Sequence, residues 1–161
     1  RPSLTAWAVC PVLKPMRGTI DSGDKKPTAA DSLPAAVAEF AAGRPDIRLC
    51  ILYGSAASGQ LHAGSDVDVA VAGDGLISRD TLAEWQLQLS EALGREADLL
   101  DLRRVGGLIL RQILTRGVRL KNQDPRLLSS LIRRMWYFEA DMMPTIRLIL
   151  RRGAERFAGG A

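Results

Sequence analysis

Residues 52–71, LYGSAASGQLHAGSDVDVAV, decide how this chain is read. An apolar run ends on Tyr53, breaks at Gly54 and Ser55, and passes through small polar residues. It then resumes around two aspartates, Asp66 and Asp68. Along a strand, side chains two apart point the same way. Asp66 and Asp68 are therefore expected on one face, and Val67, Val69 and Val71 on the other, toward a core. Two carboxylates this close repel each other unless a cation lies between them. A hard divalent ion meets that need, and Mg²⁺ is the usual partner where substrate phosphates complete its shell. Gly54 removes the Cβ that would block a phosphate, and the SAAS that follows can open a short helix whose free N–H groups favour an anion. Ser55 adds a hydroxyl donor. The stretch thus asks for a nucleoside triphosphate with Mg²⁺, and for chemistry done by positioning and electrostatics, with two ions able to serve the attacking and leaving oxygens.

Outward from this stretch, punctuation and periodicity set the remaining elements. Upstream, DSLPAAVAEFAAGR reads as a helix capped by Asp31 or Ser32, with Pro34 in its first turn and Gly43 after its end. IRLCILY (Ile47 to Tyr53) is a strand running into the Gly-Ser turn, and the run from Asp66 to Gly73 is a second. Ser78 begins a helix in which Leu82, Trp85, Leu89 and Leu93 share a face and which Gly94 stops. EADLLDL (Glu96 to Leu102) is a third, short strand, and GGLILRQILTRG a helix through Thr115. Asp124 before Pro125 starts a long helix or helix pair, with Pro144 as its kink or break. In that stretch Leu131, Met135, Phe138 and Met142 form a core-like stripe, which Trp136, Tyr137 and Met143 broaden into a surface suited to a partner. The expected architecture is α+β: a small mixed sheet with helices packed on one face, followed by C-terminal helices. Residues 1–30, rich in Pro, Gly, Lys and Asp, are expected as a disordered tail, 31–122 as the domain and 123–161 as a helical segment.

Composition narrows the class. At 161 residues, 47% hydrophobic and 25% charged, the chain has the make-up of one soluble globular domain. Twenty-two basic against 18 acidic residues leave +4, a mild bias toward polyanions. Cys10 and Cys50 lack zinc-site spacing, Cys50 lies in an apolar run where a buried thiol is expected, and the single His62 offers little for metal binding. His62 is expected as a solvated loop residue, and Arg111, Arg116 and Arg119 as a solvated helix face. Arg103 and Arg104 follow the third strand closely enough to reach a triphosphate or simply to face solvent. No apolar run approaches the ~20 residues of a transmembrane helix, so a cytoplasmic protein with no membrane partner is expected.

The combination of Gly54-Ser55, Gly59, Ser65-Asp66 and Asp68 resembles the signature of the DNA polymerase β-like nucleotidyltransferases, most closely the minimal MNT-type members. The resemblance covers roughly residues 35–120. It implies the nucleotidyltransferase fold, transfer of a nucleoside monophosphate from ATP to a hydroxyl, and Mg²⁺ held by Asp66, Asp68 and a third carboxylate on a later strand. Asp98 is taken for that third catalytic and metal-binding position. Asp101, on the opposite strand face, is its rival, because Leu99 and Leu100 put an apolar side chain on each face. Gly54, Ser55 and Ser65 are expected to bind the nucleotide. Minimal members of this kind are commonly antitoxins paired with a HEPN-domain ribonuclease toxin, which they silence by adenylylating a tyrosine, so a HEPN-type protein partner is implied and nucleic acid is not. The alternatives are a non-catalytic antitoxin that neutralises by binding, and an antibiotic adenylyltransferase, whose larger helical substrate domain has little room here.

Overall fold

The computed structural model describes Lys14–Pro15, residues 29–60, His62 and residues 64–158. Apart from Lys14–Pro15 and the first residues of a helix, the expected tail lies outside the described residues. Lys14–Pro15 form a two-residue strand, β1. Then come α1 (Ala29–Ala42), β2 (Leu49–Leu52), the single turn α2 (Gly54–Ala57) and β3 (Val67–Ala72). The rest are α3 (Arg79–Leu93), β4 (Ala97–Asp101), α4 (Gly107–Arg116), β5 (Val118–Asn122), α5 (Pro125–Asp141) and α6 (Met143–Ala158).

The strands form one mixed sheet in the order β1-β5-β2-β3-β4. β2 runs antiparallel to both its neighbours, β3 and β5, whereas β3 and β4 are parallel and joined through α3. Ser78 caps α3 by accepting from the Thr81 N–H at 3.0 Å, and Gly94 ends it in the left-handed region. Asp124 caps α5, accepting from Arg126 N and Leu127 N at 3.0 Å. The helix pair breaks at Met142, and Pro144 falls in the first turn of α6, where its missing N–H costs nothing. Helix α1 starts at Ala29, two residues before the expected cap, so Pro34 lies inside it rather than in its first turn.

Helices cover both faces of the sheet, not the single face expected from the sequence. Cys50, Leu52, Val67, Val69, Val71 and Leu99 pack with α1 and α3. Leu49, Ile51, Tyr53, Ala70, Ala72 and Leu102 pack with α4 and α5 through Leu110, Ile113, Leu114, Leu127, Leu131 and Met135. The reason lies in the strands themselves. β2 is buried along its whole length, and β3 beyond Asp68 is buried on both faces, because Ala70 and Ala72 are small and apolar enough to face a second layer. Each large side chain so buried contributes roughly 1.5–3 kcal/mol, and a sheet clad on one side would leave half of that unrealised.

Besides the short β1, which falls in the expected tail, the sequence reading lacks β5. Arg119 sits on it, opposite Ile51, rather than on a helix face. A register shift between Cys50 and Ile51 brings Lys121 opposite Cys50. Its ammonium then donates to the carbonyls of Ala41 (2.7 Å) and Arg44 (2.9 Å) at the end of α1. Cys50 is fully buried, and burial pushes its thiol up to about 12.

Candidate active site

The site forms where three strands begin or end at one edge of the sheet. Asp68 stands opposite Asp98 in the parallel β3–β4 ladder. On the other side of Asp68, β2 delivers Tyr53, whose backbone N–H donates to the Asp68 carbonyl at 2.9 Å. Tyr53, Asp68 and Asp98 are thus neighbours in one row across three strands, each about 4.8 Å from the next. Asp66 precedes β3 and is exposed, while Asp68 is half-buried and Asp98 exposed. Burial, then the charges of Asp98 and Asp66, raise the Asp68 carboxyl above the usual carboxylate range.

Gly54 sits directly over this row. Its φ of +68° is in the left-handed region that only glycine occupies freely. A Cβ there would overlap Asp68 Oδ2 and lie 2.9 Å from its Cγ. The close seat of the turn on the carboxylate therefore depends on glycine twice, once for backbone and once for space. From Gly54 the chain enters α2, whose Ser55 carbonyl accepts the N–H groups of Ser58 (3.2 Å) and Gln60 (3.1 Å). Ser65 closes the loop before Asp66: its N–H donates to the His62 carbonyl at 3.1 Å, and its Oγ accepts from His62 N at 3.2 Å. The His62 ring itself is exposed.

Asp101 belongs to another part of the molecule. It is 2% exposed, on the strand face shared with Ala97 and Leu99, away from Asp98. Its carboxylate accepts from Ile77 N (3.1 Å) and Arg103 N (2.9 Å) and lies 3.5 Å from Arg104 Nε. Arg103 and Arg104 are engaged in the same region. Arg103 donates to the carbonyls of Gly73 and Asp74 (2.9 Å each), and Arg104 to that of Ile77 (2.9 Å). Both follow the far end of β4, so they hold the loop after β3 instead of approaching the Asp68 row. Arg111 pairs with Glu139 across α4 and α5 and is half-buried, which removes it from the expected solvated face. A cavity of about 290 Å³, lined by Asp46, Asp74, Ile77, Thr81 and Trp85 among others, also opens at that far loop and includes none of the row.

Sequence reasoning missed one residue beside the row and one that braces the far end of β4. Tyr53 reads as the last residue of an apolar strand, and only the β2–β3 register shows that it flanks Asp68. Arg134, on α5, donates to the carbonyls of Leu102 (2.6 Å), Arg103 (3.1 Å) and Val105, and so ties α5 to the β4–α4 loop. No sequence spacing announces that clamp.

Among the described residues no three His, Cys, Asp or Glu side chains are already drawn into a closed metal cluster. Asp66, Asp68 and Asp98 instead line an open edge, all oxygen donors, with Asp68 penalised by its neighbours' charge. That donor set suits a hard divalent cation that takes its remaining ligands from a substrate.

The chain belongs to the Polymerase beta, Nucleotidyltransferase family, whose model matches residues 36–126. It is 39% identical over 88 residues to the protein adenylyltransferase MntA of Shewanella oneidensis; the match takes in 52% of this chain and 61% of that relative. A crystal structure of a toxin-antitoxin with AMP-PNP superposes with a TM-score of 0.62 at 26% identity, covering 73% of this chain and 98% of the other. The tri-AMPylated Shewanella oneidensis HEPN toxin in complex with MNT antitoxin gives 0.59 at 22% identity over 75% and 98%, a likeness of fold. The sheet with its flanking helices is the nucleotidyltransferase fold expected from the Gly-Ser and Asp-x-Asp residues. No helix of the described residues is long and apolar enough to cross a membrane.

Proposed function

We propose that this chain is a nucleotidyltransferase that moves AMP from ATP to a protein hydroxyl, acting as an antitoxin that adenylylates a tyrosine of a HEPN ribonuclease toxin. The observation that carries the chemistry is the seating of Gly54 on Asp68 beside Asp98, which joins a phosphate-accepting turn to a row of carboxylates. The 39% identity to a protein adenylyltransferase supports a protein acceptor, and the likeness to a toxin-antitoxin with AMP-PNP supports both the adenine nucleotide and the partner.

In this reading Asp66, Asp68 and Asp98 would hold Mg²⁺, which would neutralise charge on the triphosphate and stabilise the attacking and leaving oxygens. Gly54 admits the phosphates, with the hydroxyls of Ser55 and Ser65 as donors to them. The acceptor oxygen bonds to the α-phosphorus as the bond to the bridging oxygen of pyrophosphate breaks, and pyrophosphate leaves. Asp98, the most exposed member of the row on β4, takes the acceptor's proton. Incubation with labelled ATP, Mg²⁺ and the HEPN protein should label the partner. An Asp66→Asn/Asp68→Asn double variant that labels it equally well would refute the enzyme reading.

A second reading, neutralisation by complex formation alone, has its own observation. Trp136, Tyr137 and Met142 on and after α5, and Leu148, Ile149 and Leu150 on α6, are exposed and apolar. Under that reading the double variant still neutralises the toxin in a growth assay; under the catalytic reading it does not.

A further inference from the structure

We propose that α6 is a docking arm, which seats in an apolar groove edged with acidic side chains on the HEPN partner. The inference rests on the function proposed above for the partner's identity, and adds the surface by which that partner is held.

The arm is built by continuation. The Met142 N–H donates to the Phe138 carbonyl and the Ile146 N–H to that of Met142, each at 3.0 Å. The helical ladder therefore runs across the junction, and α6 extends from α5 instead of folding back on it. Its principal packing partner is α5. Leu148, Ile149 and Leu150 are 40%, 63% and 67% exposed. Consecutive helix residues point about 100° apart, so these three face three directions and that turn is covered on none of them. Met142, Ile146, Ile149 and Leu150 follow helical spacing and draw one apolar stripe along the arm. Trp136 and Tyr137, exposed on α5, lengthen the apolar surface toward the body. A helix of this length with so little burial is marginal in water, and a partner covering the stripe supplies what it lacks.

Charge selects the occupant. Residues 143–158 carry Arg147, Arg151, Arg152 and Arg156 against the single acid Glu155, an excess of three where the whole chain has +4. A second copy of α6 laid on the first would set like charge against like charge. A lipid surface covers one side of a helix lying flat on it, and would leave Leu148, off the stripe, in water. A groove closes on a helix from several sides. With Asp or Glu along its rims it also meets the arginines, among them the exposed Arg152, which stands at the edge of the stripe three residues beyond Ile149.

Calorimetric titration of the purified HEPN protein into the full chain compares wild type with Ile149→Asp/Leu150→Asp, Arg152→Glu and Asp66→Asn/Asp68→Asn. The apolar pair should lose about 100-fold in affinity, since buried anchors dominate an interface. Arg152→Glu should lose roughly tenfold and respond less to added salt than wild type, because a rim charge acts through steering. The carboxylate variant should bind as wild type does. Both α6 variants should keep the wild-type thermal midpoint and, in labelling, raise KM for the HEPN protein with kcat unchanged. Wild-type affinity in the α6 variants overturns the proposal, as does a loss of affinity matched by a fallen midpoint. Loss of binding to phosphatidylglycerol vesicles in Ile149→Asp/Leu150→Asp, with HEPN binding kept, overturns it in favour of a lipid surface. Binding that depends on α6 without any labelling of the HEPN protein upholds the docking arm and sinks the catalytic reading instead.

Discussion

Asp68 pays for its position in stability. Its carboxyl sits above the usual range because of burial and the charges of Asp98 and Asp66, so the folded chain favours its protonated form more than the unfolded chain does. Stability from this group is present at low pH and lost as pH rises through the unfolded and then the raised folded value. At neutral pH without divalent cation, Asp68→Asn should therefore raise the thermal midpoint, by about 1–2 °C since the group is partly screened by solvent. Mg²⁺ should raise the midpoint of wild type and leave that of the variant where it is. On acidification Mg²⁺ affinity should begin to fall at a higher pH than an ordinary carboxylate gives, as calorimetric titration would show. A midpoint lower in Asp68→Asn than in wild type would contradict this account. Strand spacing alone puts Asp66 and Asp68 on one face, and like-charge repulsion alone asks for a cation near them. Asp98 and Asp101 were not separable that way, since strand alternation puts an apolar neighbour on each face; the β3–β4 register and the donors around Asp101 separate them.

At the scale of elements, the clearest signals were the stops and caps: Ser78, Gly94, Asp124 and the break before Pro144 all act where the sequence puts them. β5 was illegible for a physical reason. All five of its residues are half-buried and two are basic, so its alternation resembles a solvated surface until β2 pairs with it. The clamp made by Arg134 was equally hidden, because it satisfies backbone carbonyls from a distant helix. Replacing it with Ala leaves those carbonyls to water and loses charge-assisted bonds, at a cost of roughly 2–3 kcal/mol. Urea denaturation should show that loss, and hydrogen exchange should show faster opening of the β4–α4 loop. Asp98, at the other end of β4, should keep its environment, so residual activity per folded molecule should match wild type.

For the molecule as a whole, the sheet separates two apolar layers, one with α1 and α3, the other with α4 and α5. Leu89 and Leu131 represent them, one on each side and both essentially buried. Each Leu→Ala change should cost about 2–5 kcal/mol. Because the sheet stands between them, the double variant should equal the sum of the singles within about 0.5 kcal/mol, measured by chemical denaturation. A larger discrepancy would mean that the layers communicate through the strands. The double cladding escaped the sequence reading because Ala70 and Ala72 look unremarkable beside three valines, yet their small size lets the second layer close.

The collision between a Cβ at position 54 and the carboxylate at position 68 also constrains the order of mutational history. A lineage that keeps the Asp68 carboxylate where it stands must keep glycine at 54. One that loses the carboxylate is released from the spatial half of that restriction and keeps only the backbone half. Decay of this site has a permitted sequence of events, with the aspartate going first and the glycine later. Among descendants of this chain, a bulky residue in the turn would mark a copy whose central acid had already been lost.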